Sequence, residues 1–156
     1  MSQTITPAAI RKSFTVRATP EKAFRVFTEG FDSWWPRTHH LGSSPLTKAV
    51  IEPHAGGRWY SLHEDGSESP WGEVLAWEPP ARLLLAWRIS HEWGYDPKLL
   101  TEVEVRFTPA GGGETRVDFE HRGLERFGAS DTANQTRTAM DGGWGLILEA
   151  YRTAVG

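Results

Sequence analysis

Cysteine is absent from the 156 residues. Disulfide scaffolds, thiolate zinc sites and thiol nucleophiles are thereby excluded together. Long apolar runs are missing too, since none reaches the roughly 20 residues of a membrane-crossing helix. The opening "MSQTITPAAIRKSF" carries no apolar signal core. A soluble, cytoplasmic protein without membrane insertion is the expectation. There is no concentrated basic face either: the 17 Lys and Arg are scattered and the formal net charge is −3. Nucleic acid, whose phosphates demand such a face, is not expected as a partner.

Catalytic and metal signatures are sparse. No G-x-S-x-G elbow occurs, and the serines of "LGSSP" and "DGSES" lie in turns. "AGGGE" joins two strands instead of opening a helix, so it is no phosphate loop. "HEWGY" departs from H-E-x-x-H at its fifth position, and the adjacent His39 and His40 cannot chelate as an i, i+4 pair would. No metal and no cofactor is expected. Whether the protein is an enzyme stays open, with binding favoured.

What the chain has in excess is tryptophan, eight in all. Each indole brings a large apolar surface and one N–H that needs a partner when buried. Such a set fits a wide core or an aromatic-lined cavity. Two of the rings are adjacent, in "FDSWWPRTHHLG". On a helix Trp34 and Trp35 would lie about 100° apart, and on a strand they would face opposite ways. One is expected in the core and the other at an entrance.

The apolar pattern gives the element order. "IRKSFTVRA" alternates as a half-buried strand, with Ile10, Phe14 and Val16 on one face. "TPEKAFRVFTEG" reads as a helix: Thr19 caps it, Pro20 suits its first position, and Ala23, Phe24 and Phe27 form its apolar stripe. Residues 31–35 add a short helical piece before Pro36. From Leu46 six strands follow: "LTKAVIE", "RWYSLH", "WGEVLAWE", "RLLLAWRIS", "TEVEVRF" and "TRVDFEHR". A longer loop, "HEWGYDPKLL", separates the fifth strand of the chain from the sixth. Glu73, Glu102 and Glu104 read as a solvated outer face. Met140, Trp144, Ile147, Tyr151 and Val155 recur at helical spacing, which predicts a long final helix. Glycines 142, 143 and 145 fall inside it at roughly 1 kcal/mol each against alanine. Close approach to the sheet, or a bend over a cavity, would explain them. Short turns between six strands favour an antiparallel meander, because parallel pairs need crossovers. The fold class is therefore α+β: a curved antiparallel sheet of about seven strands around a long C-terminal helix, with two short helices after the first strand. One domain spans residues 1–156, of which 1–9 read as a loose N-terminal segment.

Residues 51–89, "IEPHAGGRWYSLHEDGSESPWGEVLAWEPPARLLLAWRI", resemble the family described as activator of heat-shock protein 90 ATPase homologue-like. It is part of the START-like, or birch-pollen-allergen-like, helix-grip superfamily. "TPEKAFRVFTEGFDSWW", "ETRVDFEHRGL" and "GGWGLILEAY" resemble its first helix, last strand and grip-helix start. Glu114 stands where the family pattern usually has glycine. The resemblance implies a cavity between the sheet and the last helix. It also implies several functions, since the superfamily includes carriers, polyketide cyclases, self-resistance proteins and co-chaperones. The eukaryotic chaperone activators carry a further N-terminal domain, for which 156 residues leave no room. The resemblance thus carries the fold further than the co-chaperone role.

The candidate ligand-binding residues are Phe24, Trp34, Trp35, Trp59, Trp87, His121 and Trp144. Trp34 or Trp35 would gate the cavity, and Trp59 and Trp87 would form its wall. His121, inward-facing after Val117 and Phe119, would either orient a polar ligand group or bond a backbone carbonyl. The expected partner is a small hydrophobic or aromatic molecule. A chaperone partner and a cyclase or hydratase activity are the alternatives, and the assembly is monomer or homodimer.

Overall fold

The computed structural model describes residues 9–38, 44–128 and 130–156. Residues 1–8 of the expected loose segment and the His39–His40 pair lie outside the described residues. In chain order the elements are β1 (Ile10–Val16), α1 (Pro20–Thr28), α2 (Phe31–Trp34), β2 (Leu46–Ile51), β3 (Arg58–His63) and β4 (Glu68–Glu78). Then come β5 (Arg82–Trp87), β6 (Thr101–Gly111), β7 (Glu114–Arg122), a 3₁₀ turn (Leu124–Phe127) and α3 (Ser130–Val155). Among the described residues no helix is long and apolar enough to cross a membrane.

Strands β2 to β7 pair with their sequence neighbours, and β1 pairs with β7. The order is β1-β7-β6-β5-β4-β3-β2, antiparallel throughout. The sheet is curved around α3, as the alternation and the turn spacing predict. Its inner face supplies Leu83, Leu85, Val103, Val105, Val117 and Phe119, all buried. Helix α1 starts where expected: Thr19 Oγ1 accepts from the Lys22 N–H at 3.3 Å, with Pro20 following the cap. Its stripe of Ala23, Phe24 and Phe27 is buried.

Two features go beyond the periodic pattern. Gly142 and Gly143 have nothing within 4 Å of where a Cβ would stand, and Gly145 has only Lys12 Nζ, at 3.9 Å. Tight packing against the sheet is therefore not their reason. The close approach occurs at Gly72, where a Cβ would lie 1.7 Å from the Ala86 carbonyl oxygen. That glycine lets β4 and β5 meet between Trp71 and Trp87.

The outer face carries the expected acids, but Glu104 among them is buried. Burial raises its carboxyl pKa, and hydrogen bonds from Arg82, Arg106 and Arg122 outweigh that and hold it at about 2. Alternation shows which face a side chain takes. It does not show that two cross-strand guanidinium groups, Arg82 and Arg122, and Arg106 from the same strand will cover it.

Candidate functional site

The tryptophan pair divides its labour at the end of α2. Trp34 turns into the helical core, 5.1 Å from Phe27 and 5.2 Å from Tyr151 between ring centres. Its Nε1–H donates to the Val26 carbonyl at 2.8 Å. Trp35 caps α2 with extended backbone, which swings its ring the other way, to 4.9 Å from Trp71 and 6.1 Å from Trp144. Both rings are buried. Only Trp35 meets open space.

That space is a cavity of about 320 Å³ between the sheet and α3. Five of the eight tryptophans line it: Trp35, Trp71, Trp87, Trp93 and Trp144. The α3 side of the lining includes Ala139 and Gly143. These small residues fall one turn apart and stand beside Met140, Trp144 and Ile147, which line the same space. Trp93 stands at the mouth, 52% exposed, in the β5–β6 loop. Its backbone is in the left-handed region, φ 62°, an uncommon state for a bulky residue. The loop holds it there through Trp93 N–H to Ser90 O at 2.9 Å and Ser90 N–H to Gly94 O at 2.8 Å.

Behind the wall, the indole N–H groups are tied down. Trp87 Nε1–H donates to the Ile89 carbonyl at 3.1 Å. Trp71 Nε1–H donates to Ser61 Oγ at 3.1 Å, and that hydroxyl lies 3.1 Å from His63 Nε2. His63 Nδ1 is 3.0 Å from the Ser44 carbonyl, so Nδ1 carries the proton and Nε2 accepts. Trp144 Nε1–H donates to His121 Nδ1 at 3.1 Å. His121 Nε2 is therefore the protonated nitrogen; it donates to Thr101 Oγ1 at 2.9 Å, and that hydroxyl donates to the Trp87 carbonyl at 3.0 Å. Burial alone pushes the His121 pKa down to about 3, so the ring is neutral at physiological pH. His121 directly, and His63 through the Ser61 hydroxyl, tie down a tryptophan N–H, so that the ring of Trp144 or Trp71 lines the cavity.

Of the seven residues singled out from sequence, Trp35, Trp87 and Trp144 line the cavity. Trp59 stands one ring behind it, against Trp71 and Trp87. His121 is also one layer back. Trp34 lies in the helical core, and Phe24 packs on Trp77 and Phe107 at 5.0 and 5.4 Å. Sequence reasoning did not pick Trp71, although it starts the "WGEV" strand two residues from Glu73 on the same alternation. A bulge between Trp59 and Tyr60 shifts the register there and turns Trp71 inward. Trp93 was hidden in a loop without periodicity. Among the described residues no group of three or more His, Cys, Asp or Glu could hold a metal ion.

The family model for activator of Hsp90 ATPase homolog 1-like protein matches residues 17–156. The chain belongs to that family. Two solved structures that resemble it share substantial sequence. One is Txn09, an anthrahydroquino-gamma-pyrone synthase, 38% identical over 93% of this chain and 95% of that one, TM-score 0.65. The other is CalC, a self-sacrificing resistance protein from Micromonospora echinospora, 34% identical over 94% and 93%, TM-score 0.68. The Aha1 dimer from Colwellia psychrerythraea, 15% identical over 96% of each chain with TM-score 0.65, shows the fold alone. No match is found among curated proteins. The activator-of-Hsp90-ATPase-like family thus places this cavity in a fold that a synthase and a resistance protein also use.

Proposed function

We propose that this protein binds a flat, largely aromatic small molecule in the cavity between the sheet and α3. The observation that carries the reading is the set of five indoles around one open space of about 320 Å³. That volume lies at the lower end of small-molecule sites, which are mostly apolar with few polar groups. The N–H groups of Trp71, Trp87 and Trp144 are spent within the protein, so these walls offer ring faces and few donors. Offset and edge-to-face stacking would then supply most of the affinity. The similarity to Txn09, whose name denotes a fused polycyclic product, points the same way. The chaperone-facing alternative predicts a pocket filled by the protein's own side chains, and the open volume weighs against it.

Native mass spectrometry and tryptophan fluorescence across a panel of fused aromatic compounds test the reading. A saturable quench that Trp35→Ala abolishes, and that the exposed-site control Leu75→Ala keeps, is expected. No bound mass and no quench across the panel would overturn it. The 38% identity to a synthase favours a second reading, cyclisation of a substrate held in the same cavity. Among the described residues the lining includes no carboxylate, imidazole or amine. The cavity's contribution would then be to hold a reactive chain folded, which single-turnover assays with a polyketide-like substrate would detect.

A further inference from the structure

Among the described residues one buried side-chain polar atom has no hydrogen-bond partner, the indole nitrogen of Trp59. The residue is 1% exposed. A buried donor without an acceptor is costly and rare in native proteins. Phenylalanine would fill much of the same space without that cost. The ring stands edge-on to Trp71 and Trp87, with centres 5.3 and 5.5 Å away, and these two rings wall the cavity. Three wall indoles have their donors committed: Trp71 to Ser61, Trp87 to the Ile89 carbonyl, Trp144 to His121. Both nitrogens of His121 are engaged as well.

We propose that Trp59 Nε1–H is the polar anchor of the cavity, taken up by a carbonyl oxygen on an aromatic ligand, a quinone or aryl ketone, that reaches between Trp71 and Trp87. The chemistry selects a carbonyl. An indole nitrogen donates and does not accept, so a ligand hydroxyl or amine would bury its own unpaired proton among aromatic rings. A carbonyl accepts and leaves nothing over. This inference rests on the cavity reading above and narrows its ligand class.

The test compares 9,10-anthraquinone with anthracene, which share a three-ring outline and differ by two carbonyl oxygens. Wild-type protein and Trp59→Phe are titrated with each by fluorescence quenching. Anthraquinone affinity is expected to fall about tenfold in the variant while anthracene affinity holds. Equal loss for both compounds, or loss for neither, overturns the anchor and leaves the cavity reading standing. If neither compound binds wild-type protein, the anchor is overturned, and the wider panel of fused aromatics decides the cavity reading separately. A readout independent of the variant is the indole N–H resonance of Trp59 in protein carrying ¹⁵N-tryptophan. Anthraquinone should move it downfield and anthracene should not; a resonance unmoved by bound anthraquinone also overturns the proposal.

Discussion

The space between sheet and α3 has two ends, built from the same kinds of residue and different in one respect. At one end Phe24, Phe27, Phe107, Trp34 and Tyr151 pack edge to face or tilted, with ring centres 5.0 to 6.1 Å apart. Tyr151 closes that end by donating its hydroxyl to the Ala23 carbonyl at 2.7 Å. At the other end the sheet offers rings just as large, yet about 320 Å³ stays open. The difference comes from the helix. Toward the filled end α3 presents Leu148, Tyr151 and Val155; toward the open end Ala139 and Gly143 interrupt the larger Met140, Trp144 and Ile147. Aromatic content alone does not make a cavity. Ala139 and Gly143, set among larger side chains on the facing helix, leave the room.

The comparison can be broken most severely at Gly72. A methyl group there would meet the Ala86 carbonyl at 1.7 Å, so Gly72→Ala must part β4 from β5 between two wall tryptophans. A loss of more than about 4 kcal/mol is expected, read as failure to fold or a collapse of the denaturation midpoint. Next in size is a contrast between the ends. Phe27→Ala should cost about 3–5 kcal/mol in denaturant titration, as a fully enclosed ring does. Trp35→Ala should cost less for a larger ring, because one side of it faces open space and makes fewer contacts to lose. Ligand binding should show the reverse order, lost in Trp35→Ala and kept in Phe27→Ala at temperatures where that variant is folded.

His121 sharpens the comparison through pH. Its pKa lies at about 3 in the folded protein, below the ordinary 6.5, so the unfolded chain binds the proton first. Stability from this residue is complete above pH 6.5 and falls as pH drops from there toward 3, by about 1.4 kcal/mol per pH unit. Glu104, held at about 2, acts in a lower window: its contribution is complete above pH 4.5 and is lost as pH falls toward 2. Chemical denaturation between pH 7 and 5 should therefore slope in wild type and flatten in His121→Gln. An unchanged slope in that variant would sink the assignment. The smallest effect is expected at Gly143→Ala. Nothing lies within 4 Å of the added methyl, so the helix should gain up to about 1 kcal/mol. The same methyl would stand in the cavity and weaken binding of the bulkiest ligands first. Thermal melts and a ligand size series together check both halves.

Much of this architecture is legible in the chain itself. Alternation in "TEVEVRF" and "TRVDFEHR" places Val103, Val105, Val117 and Phe119 on one face, because strand side chains must alternate. Thr19, Pro20 and the Phe24–Phe27 stripe fix α1 through local capping and helical period. The recurrence of Met140, Trp144, Ile147, Tyr151 and Val155 marks the buried stripe of α3. Each of these signals acts within a few residues, which is why a linear reading finds them. The tertiary structure decided the rest. Trp71 faces inward because a bulge across β3 and β4 shifts the register, and Trp93 reaches the cavity from a loop with no period to read. The partners of His121 are 20 and 23 residues away in sequence, and they determine which nitrogen carries the proton and which way Trp144 faces. The sequence by itself determined which side chains of the regular strands and helices turn inward, Trp71 at the bulge and the buried Glu104 apart. Which of them touch, and where the space between them stays open, depends on distances across the sheet and to the helix, and those exist only once the chain has folded.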